Sequence, residues 1–169
     1  MKKRNNKGFT LIELLIVVAI IGIIVAIAIP NLLNAIQRAK QKRTMGDMRT
    51  AGTAAEAYAV DFNHYPAAAG YSLPTGLTAG TTTFGDPGPS LTTLNGQVVP
   101  TYIRVLPITD GWNSFFHYWP GATLQDYGVR SVGRDGAVGT LPYGQTTNFN
   151  MDIIFVDGQF VQYPAGSQN

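Results

Sequence analysis

One stretch constrains this chain more than any other: from Phe9 to Ile29 the only polar side chains are Thr10 and Glu13. Read as a helix rising about 1.5 Å per residue, that run is long enough to cross a hydrocarbon core roughly 30 Å thick. A carboxylate inside such a segment costs roughly 2.5–3.5 kcal/mol on insertion scales at the helix centre. Glu13 is therefore expected to have a function and a partner.

The flanks narrow the reading. Lys2, Lys3, Arg4 and Lys7 precede the apolar run, while Pro30 and then Arg38, Lys40, Lys42 and Arg43 follow it. The first basic group lies closer to the run, which favours a cytoplasmic N-terminus under the positive-inside rule. Composition leaves three uses open for such a segment. A secretory signal peptide would take the basic residues as its n-region and Ala26-Ile27-Ala28 as a cleavage site. An uncleaved anchor would need only the apolar residues. A signal peptide has no use for Glu13, and the run exceeds an ordinary h-region of roughly 7–15 residues. The third use is assembly, with Glu13 as the residue that finds a partner.

Lys7-Gly8-Phe9-Thr10-Leu11-Ile12-Glu13, with its basic leader, apolar run and Pro30, resembles the class III leader of type IV pilins and type II secretion pseudopilins. The resemblance implies cleavage between Gly8 and Phe9 by a membrane prepilin peptidase on the cytoplasmic side, followed by methylation of the new Phe9 amine. That amine would be cationic and one helical turn from Glu13. In a helical filament the Glu13 carboxylate of one subunit would meet the Phe9 amine of its neighbour, turning an unpaired charge in lipid into a paired one. The assembly residues are then Phe9, Glu13 and Pro30. The implied partners are further copies of the chain, the peptidase and methylase, an inner-membrane platform and its ATPase, with lipid around the helix beforehand. The expected location is single-pass in the inner membrane, then periplasmic or extracellular in the filament.

At 169 residues the chain holds one domain plus this helix. Its expected divisions are a cleaved leader (1–8), a transmembrane and assembly helix (9–30), an amphipathic helix (31–65), a variable loop region (66–100) and a β-rich region (101–169). The leader carries four of the twelve Lys and Arg, so the remainder has eight against ten acids, a side-chain net of −2. That balance gives no reason to expect nucleic acid as a partner. There is no cysteine, so the C-terminal region is held by packing, hydrogen bonds or a metal rather than by a disulfide. Many type IV pilins close that region with a disulfide, and its absence here leans toward the pseudopilin branch.

Apolar residues at three- and four-residue steps (Leu33, Ile36, Ala39, Met48, Ala51, Ala55, Ala59, Phe62) continue the helix past the membrane, with Arg38, Lys42, Arg49 and Asp61 opposite. One long helix is expected from about Thr10 to about Asn63, loosened at Pro30 and Gly22 and stopped before Pro66. The stretch from Pro66 to Pro100 is rich in turn formers, notably 75–83 and 85–90. It is either a tolerated surface loop or a variable face that meets a partner or carries sugar. Strand composition returns at Phe115–Trp119, Tyr127–Val132 and Ile153–Tyr163, the last divided by the hairpin signal Asp157-Gly158. The expected fold class is α+β: a long N-terminal helix whose distal half packs on a small antiparallel sheet.

Further segments extend the resemblance toward the major pseudopilins: Tyr58 to Pro66, Tyr102 to Pro107, Asp110-Gly111-Trp112-Asn113, and Ser131-Val132-Gly133-Arg134-Asp135-Gly136. In that group the last turn and a later pair of aspartates hold calcium. The resemblance thus implies a calcium site of Ser131, Asp135, Asn150 and Asp152, with Met151 standing where the tandem acid belongs. Calcium takes six to eight oxygens, so the missing carboxylate weakens or abolishes that site. Alternatively the turn is a plain hairpin and Asp152 the start of a strand. His64 and His117 form no ligand or catalytic spacing, and no nucleophile-elbow or P-loop pattern occurs, so no enzyme is expected. Trp112, Phe115, Phe116, Tyr118 and Trp119 are expected in the sheet core. The expected function is that of a filament-forming subunit, most like the major pseudopilin of a type II secretion system. A type IV pilus subunit for adhesion, twitching or DNA uptake is the alternative, and an anchored or secreted monomeric binding domain is a second.

Overall fold

The computed structural model describes residues 8–68, 89–121, 123–139 and 144–166. The basic leader residues 2–7 and nearly all of the Thr-rich and Gly-Pro-rich stretch (69–88) lie outside them. Helix α1 runs from Leu11 to Phe62. The chain forms two compact units, the first ending at Ile36 and the second beginning at Gln37.

In the first unit every large apolar side chain from Leu11 to Ile29 is exposed, from 42% at Val25 to 80% at Leu11. This is a helix long and apolar enough to cross a membrane, with a mean hydropathy of 3.2 over its most apolar window. Helical assignment is unbroken through Pro30. The proline removes the amide that would bond the Ala26 carbonyl, and the Asn31 side chain donates to the next carbonyl, that of Ile27, at 3.3 Å.

The second unit is built on the distal half of α1. The helix stops where Asn63 takes a left-handed conformation (φ 58°) and its amide donates to the Ala59 carbonyl at 2.9 Å, a C-terminal cap of the kind Asn and Gly supply. Five strands follow: β1 (His117–Pro120), β2 (Tyr127–Ser131), β3 (Gly144–Thr146), β4 (Ile153–Val156) and β5 (Gln159–Pro164). They form one sheet in the order β1-β2-β4-β5-β3. The expected hairpin is present. Asp157 and Gly158 both have positive φ (46° and 82°), and Val156 pairs with Gln159, which is what a tight two-residue connection requires.

Two expectations change. The sheet is mixed rather than antiparallel, because β3 lies parallel to β5 with Gly144 opposite Gln162 and Thr146 opposite Pro164. Three residues carry too little periodicity to signal a strand. The nominal loop region also contains a 3₁₀ turn (Leu91–Leu94) and a short α2 (Asn95–Val98), whose Leu91, Leu94 and Val98 are buried. These three apolar residues were hidden among turn formers.

The core sits between α1 and one sheet face. Met48, Ala51, Ala54 and Ala55 pack with Tyr118, Tyr127, Val129, Ile153 and Phe155, and with Leu91, Leu94, Val98 and Phe116. The contact is narrower than the expected stripe: Leu33, Ile36, Ala39 and Phe62 are exposed, while Gln41, Thr44 and Gly52 are buried. Of the five aromatics expected in the core, Phe116, Tyr118 and Trp119 are buried, Trp112 is half-buried and Phe115 is 53% exposed. Polar bonds fix the helix along its length. Trp112 Nε1 donates to Gln37 at 2.7 Å, the Gly111 amide to Thr44 at 2.9 Å, Tyr127 Oη to Glu56 at 2.8 Å and Tyr102 Oη to Asp61 at 2.6 Å.

Gly52 makes this approach possible. A Cβ there would lie 2.5 Å from Phe155 and 2.6 Å from the Tyr127 hydroxyl. We expect Gly52→Ala to destabilise the second unit by about 1–3 kcal/mol, as overpacking of a filled core does, measured as a lower denaturation midpoint; an unchanged midpoint would show that the helix has room to move away.

Candidate functional site

The head of α1 is closed by its own side chains. Thr10 is the N-cap, and its hydroxyl and amide donate to Glu13 Oε2 at 2.7 and 2.9 Å. The Glu13 amide in turn donates to Thr10 Oγ1 at 3.3 Å. This is a reciprocal capping box, which satisfies amides that a helix start leaves without partners. It also places the carboxylate at the positive end of the helix dipole. The Thr-x-x-Glu spacing that announces it was legible in the sequence, yet Glu13 was read there only as an acid awaiting an external partner. Gly8 and Phe9 lie outside the helix and are exposed, Phe9 by 84%. The Gly8–Phe9 bond is thus in open, non-helical chain next to a capped helix, an arrangement a peptidase can reach.

The side chains of the four residues that the resemblance assigned to calcium each bond other partners in this structure. Ser131 and Arg130 are neighbours in β2, so their side chains leave opposite faces of the sheet. Ser131 Oγ donates to Asp110 Oδ2 at 2.6 Å. Arg130 instead meets Asp152, its Nε donating to Oδ2 at 2.6 Å and its Nη2 bonding the same oxygen. Asn150 Oδ1 accepts from Arg134 Nε at 2.8 Å, and Asp135 Oδ1 accepts from the Ala137 amide at 3.1 Å. Asp152 is buried and Asp135 exposed. Burial pushes the Asp152 carboxyl above its ordinary value, against the pull of the Arg130 charge and its hydrogen bonds. Among the described residues no group of three or more His, Cys, Asp or Glu side chains is placed to hold a metal. These side chains, as arranged, do not fit calcium.

Sequence reasoning missed the part played by Asp110. It is buried, and its Oδ1 accepts from the Trp112 and Ser114 amides at 2.9 Å each, while Oδ2 takes the Ser131 hydroxyl. The acid folds the 110–114 turn and ties it to β2. Gly111 of that turn rests against the α1 backbone, where a Cβ would lie 2.5 Å from the Lys40 carbonyl oxygen.

Comparison with known proteins bears on both regions. A profile for the prokaryotic N-terminal methylation motif matches residues 3–29, and one for type II secretion system (T2SS), protein G matches residues 31–148. The chain belongs to the type II secretion system protein G family. Type II secretion system core protein G of Pseudomonas aeruginosa is 31% identical over 140 residues, spanning 82% of this chain and 91% of the relative. The Vibrio cholerae core protein G is 32% identical over 82% of this chain and 90% of its own length. The type IV wide pilus major component of Thermus thermophilus is 52% identical, but over 37% of this chain and 47% of the relative. No solved structure matches the chain. Protein G family members are structural subunits. Membership together with the methylation motif implies peptidase processing and filament assembly, and the apolar half of α1 marks a membrane-anchored subunit.

The capping box predicts a local effect. Thr10→Ala should weaken the helix head by roughly 0.5–2 kcal/mol, seen as faster amide exchange in the first turn in detergent micelles, whereas Thr10→Ser should retain protection. Equal exchange in Thr10→Ala and the parent would show that the box does not hold the helix start.

Proposed function

We propose that this chain is the major pseudopilin of a type II secretion system and that it works by assembling. The peptidase cuts between Gly8 and Phe9 at the cytoplasmic face, and the Phe9 amine is methylated. The subunit waits in the inner membrane until the ATPase and platform draw it into a helical bundle, whose growth pushes cargo outward. One observation carries this reading: the apolar half of α1 is uncovered on every side and begins at a capped carboxylate beside an exposed Gly-Phe junction. An apolar helix with no covering in its own chain must be covered by lipid or by other helices. Glu13 supplies the register that lipid does not. In the single chain it is held by Thr10, and in the bundle the neighbouring Phe9 amine takes that place.

A surface type IV pilus subunit is the second reading, supported by the 52% identity to the Thermus pilus component over 62 residues. Loss of exoprotein secretion on deletion of the gene in its native host supports the first, and loss of adhesion or twitching with secretion intact supports the second.

Mass spectrometry of the N-terminal peptide from native envelopes should give a chain beginning at methylated Phe9. A start at Ile29 would mean ordinary secretion and would remove the filament reading. Glu13→Ala should insert normally and fail to assemble, scored by sheared filament yield; normal filaments from that variant would exclude the charge-pairing role.

A further inference from the structure

The outer sheet face, opposite α1, carries a small apolar cluster of Trp119, Ile154 and Val156. Arg130 stands on the same face and is wholly buried, an expensive place for a cation unless it is paired. Its Nε and Nη2 both bond Asp152 Oδ2, and Nη2 also donates to the Gly139 carbonyl at 3.1 Å. The Gly139 amide returns a bond to Asp152 Oδ2 at 3.2 Å. Gln162 of β5 donates to the Asp152 carbonyl at 2.9 Å. The guanidinium therefore gathers a carboxylate and a backbone carbonyl from segments far apart in sequence, and through Asp152 it reaches β5.

We infer that Arg130 is the resident cation of this region, tying Gly139 and Asp152 to β2 in place of a metal ion, so that the protein folds and keeps its shape independently of calcium. Three features support this. Oxygens of the type calcium takes, a carboxylate and a main-chain carbonyl, are already held by nitrogen donors of fixed geometry. The pair is charge-neutral, and a divalent ion brought to Asp152 would meet the buried guanidinium as a like charge. Among the described residues the buried side-chain oxygens without a donor are Asp152 Oδ1 and Gln162 Oε1, of which only the first is a carboxylate oxygen.

The test is thermal unfolding of the full chain in detergent, followed by circular dichroism, with millimolar calcium chloride or excess EGTA. The two curves should superimpose; a higher midpoint in calcium would overturn the proposal. Arg130→Gln leaves Asp152 buried without its counter-charge and should lower the midpoint by roughly 10 °C. The double variant Arg130→Gln with Asp152→Asn, which removes both charges, should recover part of that loss. Arg130→Gln unfolding at the parent temperature would overturn the proposal, and if that variant does not fold, the calcium comparison on the parent chain still decides. These measurements read folding alone, so they stand or fall separately from filament assembly.

Discussion

The close contact between α1 and the sheet at Ala51, Gly52 and Ala55 is the constraint on which the second unit depends. Small residues on the helix let Tyr127 and Phe155 lie against its backbone, and the polar ends of that contact are then satisfied by Glu56 and Tyr127. Helix propensity favours none of this at Gly52, where glycine costs roughly 1 kcal/mol relative to alanine. Packing outweighs propensity here, and the narrow buried face follows. Large apolar residues would hold the helix further from the sheet, out of reach of the bonds from Gly111 to Thr44 and from Tyr102 to Asp61.

A single helix thus meets two different requirements. Up to Ile36 its apolar side chains are unshielded within the chain, and the N-terminal methylation motif covers its head. From Gln37 onward it is the central support of a small α+β unit, its polar residues serving as anchors for loops. Glu13 and Glu56 show the contrast. Both carboxylates accept bonds from hydroxyl groups, Thr10 in one case and Tyr127 in the other. The first sits in an exposed helix cap; the second braces a packed interface.

Much of this was legible in the residues. The apolar run, the helix end at Asn63 and the Asp157-Gly158 hairpin follow from local chemistry, and each lies where periodicity or turn preference placed it. The parallel β3 was not legible, because three residues bonded to a strand far along the chain leave no periodic trace. Leu91, Leu94 and Val98 were obscured by their polar neighbours. The Arg130–Asp152 pair was missed for another reason: charged residues in a strand are ordinarily read as its solvated face, whereas here both are buried. Asp110 belongs to the same class, a buried acid whose partners are backbone amides of its own turn and the Ser131 hydroxyl. The resemblance directed attention to Ser131 and Asp152 together, yet alternation along β2 sends Ser131 to the helix side and leaves the Arg130–Asp152 pair on the other.

The sheet margins have a consequence for crowding. β3 is three residues long, and β1 is four residues ending in Pro120, which has no amide to offer. Short margins of this kind are poor templates for strand-to-strand growth. The globular part therefore offers little by which one copy could stick to another through strand pairing. The same trait that makes β3 hard to find in the sequence also limits unordered association of the globular part.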